Sequence, residues 1–368
     1  MAVARRAVGA LLLLAASRAG GAGGPIHVVV AASRNHYAGL LAVVASAANA
    51  TGADAARLRF LLLVDGAGDA TAVGAAAACA AGDSGARVDA RAFALSGPLA
   101  AADRSRTARL GDALNYARGR AETRTARAGR RGRASRGTSR RPRARARARA
   151  RRVGDTSTQA RFFVGDLLPE ARRAIYLDAD VVVEASLAGL DGAAAAAFAA
   201  NASAVLAAAP RDFKRVCDHL VNCGAAAVRA RFADPARALH AFNAGVVVFD
   251  LDRWRVRRLA ADVERWVIAN AAADPPIYRL GSNPPLVLAV GEDWARLDPR
   301  WNCMRGIHRQ HPHNTACWRD AFVRHYPGGA KPWAMAPADA AALGWRFPRR
   351  AACAADLERR AEAGVIAT

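Results

Sequence analysis

Asp178 and Asp180 flank Ala179 directly after the apolar stretch Ala174-Ile-Tyr-Leu177. In an extended strand, residues two apart project to the same face, so two such carboxylates can share one cation. Hard divalent ions such as Mn²⁺ and Mg²⁺ take oxygen ligands of this kind and complete their shells with phosphate oxygens. Taken alone, the Asp-x-Asp pattern reads equally well as a pair of solvated acids closing a strand. A second segment tilts the balance. His325-Tyr-Pro-Gly328 followed by Lys331-Pro-Trp333 combines an imidazole able to bind a metal, a glycine that permits close backbone approach and a lysine able to neutralise phosphate. The two segments together supply both halves of a metal-diphosphate site.

These residues need a frame that brings them together. Ile26 to Ala32 is a continuous apolar run closed by the polar Ser33-Arg34-Asn35, and Leu58 to Val64 is a second such run ending at Asp65-Gly66. Both read as buried strands, and Tyr37 to Ala50 between them has helical length and composition. Strand, helix, strand implies a parallel start, with ligands expected at the carboxyl ends of the strands. Further on, Thr158 to Leu168 is predicted helical. Ala174 to Leu177 is predicted as a strand that Val181 to Val183 continues, Phe242 to Phe249 as another strand, and Leu251 to Ala269 as a helix. From Asp274 to Trp333 the chain is rich in Pro, Gly, Trp and His and is expected to be irregular. No internal repeats occur. One α/β domain over residues 25–350, with a mainly parallel central sheet and an irregular C-terminal portion, accounts for these features, followed by a tail at 351–368.

The formal charge of +23 on 368 residues would ordinarily suggest a polyanionic partner, but +15 of it lies between Arg118 and Arg152, where sixteen arginines face the single acid Glu122. That segment has almost no large apolar residue and cannot offset its ordering entropy by burial, so residues 119–152 are expected to form a disordered, dispensable insert. At the N-terminus, Arg5-Arg6, the apolar run Ala7 to Ala16 and the small residues up to Gly24 resemble a signal peptide or short signal anchor. The run falls short of the roughly 20 apolar residues that span a bilayer. Membrane association is therefore expected only if this segment stays uncleaved. Six cysteines lack CxxC spacing and in a lumenal protein can pair as disulfides, Cys217 with Cys223 and Cys303 with Cys317 being the nearest in sequence. Asn49-Ala-Thr51 and Asn201-Ala-Ser203 are N-glycosylation sequons.

The ordered set Tyr176-Leu-Asp-Ala-Asp-Val-Val-Val183, Phe242-Asn-Ala-Gly245 with Asp250-Leu-Asp-Arg-Trp254, and the His325, Gly328, Lys331-Pro-Trp run resembles glycosyltransferase family 8 over about Ile26 to Trp333. Tyr278-Arg-Leu-Gly-Ser-Asn-Pro-Pro285 and Leu297-Asp-Pro-Arg-Trp-Asn302 look most like its plant galacturonosyltransferase-like branch. The resemblance implies a GT-A type nucleotide-sugar-binding fold, a UDP-sugar donor, a carbohydrate acceptor, Mn²⁺ or Mg²⁺, and transfer with retention of anomeric configuration in the Golgi lumen or at its membrane. It implies that Asp178, Asp180 and His325 ligate the metal and that Gly328 and Lys331 contact the diphosphate. Asp178, Asp180 and Lys331 then carry the catalysis. Ala32, Ser33 and Asn35 are placed near the nucleoside, and Arg161 on the donor side. Asn243, Ala244 and Gly245 are placed beside the transferred sugar. Where the family often has an acid, this chain has Ser33, and Leu114-Asn-Tyr-Ala-Arg118 also resembles the segment that carries the donor-side arginine.

Two other functions compete. A phosphohydrolase of the haloacid dehalogenase class also sets Asp-x-Asp after an apolar strand, but usually opens its domain with it, whereas here two predicted strands and a helix come first. A noncatalytic polyanion-binding protein would use the arginine segment, yet leaves the aspartate pair and the His/Lys run without a purpose. No nucleic-acid partner is expected.

Overall fold

The computed structural model describes residues 23–94, 156–211, 215–279, 281–304, 317–328 and 331–345. Residues 1–22 of the predicted signal segment 1–24, the Leu114 to Arg118 segment, the insert at 119–152 and the tail at 351–368 lie outside the described residues.

A seven-stranded sheet forms the centre, in the order β3-β2-β1-β4-β7-β6-β8. Its strands are β1 (Ile26–Ala31), β2 (Leu58–Val64), β3 (Arg87–Ala92), β4 (Arg173–Asp178), β6 (Leu206–Pro210), β7 (Phe242–Asp250) and β8 (Trp294–Arg296). Strands β1 to β4 pair in parallel, and β6 pairs β8 in parallel; β7 alone runs antiparallel to its neighbours β4 and β6. A smaller sheet of order β5-β10-β9 contains β5 (Val181–Val183), β9 (Cys303–Met304) and β10 (Val323–His325).

The strands read as continuous apolar runs because both faces of the large sheet are covered. Val28 and Val30 of β1 pack with Ile175, Leu177, Val246 and Val248 on one side, under α1 (Tyr37–Thr51), α2 (Ala67–Ala81) and α3 (Leu187–Ala200). Val29 and Ala31 point the other way, with Tyr176, Val247 and Phe249, toward α4 (Leu251–Val256), α5 (Leu259–Ala272) and α6 (Asn283–Val290). This alternation is the period of two expected of a strand. Each fully buried Val, Leu or Phe contributes roughly 1.5–3 kcal/mol of transfer free energy, so the two-sided core dominates stability.

Several expectations are corrected. Val181 to Val183 does not continue β4: the chain turns at Ala179-Asp180 and β5 joins the other sheet, pairing antiparallel with β10. Three successive valines serve a strand in any sheet, so composition could not reveal the change. The helix foreseen over Leu251 to Ala269 is two helices, divided where Arg258 takes a positive φ of 54°. Thr158 to Leu168 is mostly 3-10 helix, over Thr156–Phe163, with one α-turn at Val164–Leu167. Helix α2 and strand β3 have no clear pattern in the sequence, α2 being largely alanine and β3 half exposed and charged. The portion after Asp274 has long connections but contributes α6, β8, β9 and β10. Cys217 bonds Cys223 and Cys303 bonds Cys317, so both nearest-neighbour pairings hold.

Candidate active site

The antiparallel direction of β7 shapes the site. Leu177 pairs with Val246, so the start of β7, at Asn243-Ala244-Gly245, lies beside the carboxyl end of β4 at Asp178. Ala31 pairs with Asp178 in parallel register, which brings the end of β1, and with it Ala32, Ser33 and Asn35, to the same edge. The turn after Asp178 feeds β5, and His325 on β10 pairs with Val181. Three elements thus deliver Asp178, Asp180 and His325 to one point.

There, one ligand atom from each of Asp178, Asp180 and His325 lies within 4.8 Å of the others. His325 Nε2 is 3.2 Å from Asp180 Oδ1 and 3.8 Å from Asp178 Oδ2. Asp180 and His325 are buried, whereas the Asp178 side chain retains 23% exposure. The two aspartates meet as the sequence led us to expect, but for another reason: Asp180 sits in a turn between sheets, not two places along one strand. Two carboxylates and an imidazole nitrogen form a donor set suited to Mn²⁺ or Mg²⁺, and the open side of Asp178 leaves room for oxygen ligands from a substrate.

Surrounding groups brace both carboxylates. Arg161, buried in the 3-10 segment, donates from Nη2 to Asp178 Oδ1 at 2.7 Å and from Nη1 to the Ala244 carbonyl at 2.6 Å, with its guanidinium 4.6 Å from the centre of the Tyr176 ring. Burial alone would lower its pKa, but Asp178, Tyr176 and Asp180 outweigh this and raise it. The arginine thereby ties β4 to the start of β7 and leaves Asp178 Oδ2 facing His325. Burial works against ionisation of Asp180, yet His325 and Lys331 prevail and hold it well below the usual carboxylate range. Lys331 Nζ donates to Asp180 Oδ2 and, at 3.1 Å, to the Tyr326 carbonyl.

Two glycines permit this crowding. A Cβ on Gly245 would stand 2.3 Å from His325 Cε1 and 2.8 Å from Asp178 Oδ2. On Gly39, in α1, it would stand 2.2 Å from the Ala179 carbonyl and 2.6 Å from the Trp333 ring. Gly328 follows β10 with φ of +105°, a backbone state that side chains resist.

The residues expected around the nucleoside contribute differently. Ala32 is buried and its N–H is bound to the Leu63 carbonyl. Ser33 Oγ pairs with His36 Nδ1 at 3.0 Å, and the Asn35 carbonyl accepts from Trp333 Nε1 at 3.0 Å. That last bond docks the turn carrying Lys331-Pro-Trp333 onto the end of β1. Sequence reasoning missed Asn302, Asn283 and Gly39, although the first two stand in the stretches Leu297 to Asn302 and Tyr278 to Pro285. Asn283 Oδ1 accepts from Ala244 N–H at 2.8 Å and its Nδ2 donates to the Phe242 carbonyl at 2.7 Å, holding the start of β7. Nothing in their local sequence marks these asparagines; only the fold carries them 39 and 59 positions back to β7.

Among curated proteins, the chain is 27% identical over 186 residues to glycosyltransferase 8 domain-containing protein 1 of Xenopus tropicalis, covering 48% of this chain and 50% of that protein. It is 28% identical over 178 residues to probable galacturonosyltransferase 6 of Arabidopsis thaliana, covering 48% of this chain and 29% of that one. The chain thus spans half or less of the length of these relatives. A solved active-site mutant of LgtC superposes with a TM-score of 0.51 at 19% identity, covering 88% of this chain and 98% of that one, a likeness of fold. The architecture is accordingly of GT-A type. Residues 135–336, more than half of the chain, match the profile of glycosyl transferase family 8, and with the Asp178, Asp180 and His325 cluster inside that span the chain belongs to this family.

Proposed function

We propose that the chain is a metal-dependent, retaining glycosyltransferase that moves a sugar from a UDP-sugar to a carbohydrate acceptor. The observation that carries this reading is the convergence of Asp178, Asp180 and His325 at the carboxyl edge of the sheet, with Lys331 against Asp180.

In the proposed reaction the anomeric C–O bond to the diphosphate breaks, positive charge grows on the sugar ring and negative charge grows on the departing UDP. A bound Mn²⁺ or Mg²⁺ supplies Lewis-acid stabilisation of that leaving group. Asp178, Asp180 and His325 would hold that cation, the first two through carboxylate oxygens and the last through Nε2. Lys331, which contacts Asp180 here, would serve the phosphate oxygens as a point charge, and Gly328 would admit the diphosphate without a side chain in its path. Arg161 orients Asp178 while bracing Ala244. Asn243, Ala244 and Gly245 border the sugar, and Ala32, Ser33 and Asn35 border the nucleoside. Retention fits front-face substitution in which donor phosphate helps take the acceptor proton. The disulfides Cys217–Cys223 and Cys303–Cys317 support an oxidising compartment, and we assign the chain to the Golgi lumen or membrane.

Incubation of purified protein with a panel of UDP-sugars, with and without candidate glycan acceptors, tests the reading by UDP release. One donor should outpace the rest, and NMR of the product should give the anomeric configuration of that donor. Absence of UDP release with every donor under Mn²⁺, or an inverted product, would contradict it.

A further inference from the structure

Behind His325 stands the side chain of Asn302. The His325 Nδ1 lies 2.8 Å from Asn302 Oδ1, while Asn302 Nδ2 donates to both the backbone carbonyl and the side-chain Oδ1 of Asn243, each at 3.1 Å. Asn243 Oδ1 also accepts the Gly245 N–H at 2.8 Å. The amide orientation follows from these partners. Asn243 offers Asn302 only acceptors, so the Asn302 NH₂ must point to Asn243 and its oxygen must point to His325. An amide oxygen cannot donate, so Nδ1 of the imidazole carries the hydrogen and donates it. Nε2, which faces Asp178 and Asp180, is then the nitrogen that offers its lone pair to a cation when the ring is neutral, the state in which a histidine serves as a metal ligand.

We propose that Asn302 is a positioning residue with two functions. Through Oδ1 it selects the tautomer and ring plane of His325 that can bind a cation, and through Nδ2 it couples that ligand to Asn243 at the start of β7. This rests on the reading of Asp178, Asp180 and His325 as a cation site. The surroundings of Asn302 hold it firmly in place. It is buried, it precedes β9, and β9 pairs with β10 so that Met304 lies opposite His325. The Cys303–Cys317 disulfide anchors the adjacent residue. Two ends of the site that arise 59 positions apart in sequence, at Asn243 and Asn302, therefore move as one unit.

The two functions can be separated by substitution. Asn302→Asp keeps an oxygen for the His325 N–H but loses the donors to Asn243. Asn302→Leu loses both. We expect Asn302→Asp to bind Mn²⁺ as tightly as wild type or tighter while its kcat falls. Asn302→Leu should weaken Mn²⁺ binding by about 10–100-fold, the usual cost of losing a group that orients a metal-bound histidine. The measurement is the EPR signal of free Mn²⁺ during titration of wild type, both variants and Asp180→Ala, each checked for cooperative thermal unfolding. Equal Mn²⁺ affinity of wild type and folded Asn302→Leu, with Asp180→Ala impaired, would overturn the role of Asn302 and leave the cation site standing. Should Asn302→Leu fail to fold, weak Mn²⁺ binding by a folded Asn302→Asp would overturn it, since that variant retains the acceptor. No Mn²⁺ binding by wild type would overturn both this role and the cation site.

Discussion

Two clusters of polar side chains lie at the carboxyl edge of the large sheet, and they differ in how their hydrogen-bonding capacity is spent. Beyond β1 and β2, Asp69 accepts from Tyr37 OH at 2.6 Å and from Arg34 Nε at 2.8 Å on the same Oδ2, while the Arg34 N–H donates to Asp65 at 3.2 Å. Donors and acceptors there answer one another, and the buried carboxylate of Asp69 is screened by a phenol and a guanidinium. Beyond β4 and β10, by contrast, Asp178 Oδ2, Asp180 Oδ1 and His325 Nε2 converge on one point, with the Nδ1 hydrogen of His325 spent on Asn302. A closed cluster stabilises a fold; two carboxylate oxygens and an imidazole nitrogen that converge are suited to a cation. Lys331 meets part of this demand at Asp180 Oδ2.

The comparison breaks most visibly at the carboxylates. Asp178→Ala or Asp180→Ala should lower UDP-sugar turnover by about 100-fold or more, in line with the ~2.7–4 kcal/mol that one strong electrostatic contact provides to a transition state. Each variant should still unfold cooperatively, at a somewhat lower temperature, because Asp178→Ala takes the carboxylate from Arg161 and Asp180→Ala takes it from Lys331. A loss of cooperative folding equal to the loss of turnover would make this cluster a structural one after all. Asp69→Ala should give the opposite signature. It takes the acceptor from a buried phenol and from the Arg34 guanidinium, so chemical denaturation should report a loss of about 2 kcal/mol, with Mn²⁺ affinity unchanged. Weaker Mn²⁺ binding by that variant would erase the distinction between the clusters.

A smaller effect should appear as opposite pH limbs. Asp180 stays ionised in the fold at pH values where an unfolded carboxyl is already protonated, so its contribution to stability is complete above about pH 4 and drains away as pH falls below that. The Tyr37 phenol, buried and bonded to Asp69, is pushed well above its ordinary range. Its contribution is complete below about pH 10 and is lost as pH rises through the folded value. Stability measured against pH should therefore lose its acid limb in part with Asp180→Asn and its alkaline limb in part with Tyr37→Phe. An alkaline limb unaltered by Tyr37→Phe would show that the phenol does not titrate with unfolding.

Much of this was legible in the sequence because it is written in local patterns. The runs at Ile26 and Leu58 mark β1 and β2, the first to within one residue and the second at its bounds. Asp178, Asp180 and His325 stand out because few residue types bind hard cations, and the family's spacing links them. What lay beyond reach depends on tertiary direction. The chain leaves one sheet for another at Ala179, where both flanking segments are equally apolar, and β7 reverses direction, which alone puts Gly245 under His325. Asn302 and Asn283 have no signature of their own, since an asparagine that orients a ligand looks in sequence like one in any loop. The Gly39 requirement arises from the Ala179 carbonyl and the Trp333 ring, two groups far from it in the chain.

The central claim is that Asp178, Asp180 and His325 hold a cation on which sugar transfer depends. The most direct test is UDP release by wild type before EDTA treatment, after it, and after Mn²⁺ is added back, with Asp178→Ala and Asp180→Ala alongside. Turnover of wild type should vanish in EDTA and return with Mn²⁺, while neither variant recovers; full wild-type activity in EDTA, or variants that match wild type, would contradict it.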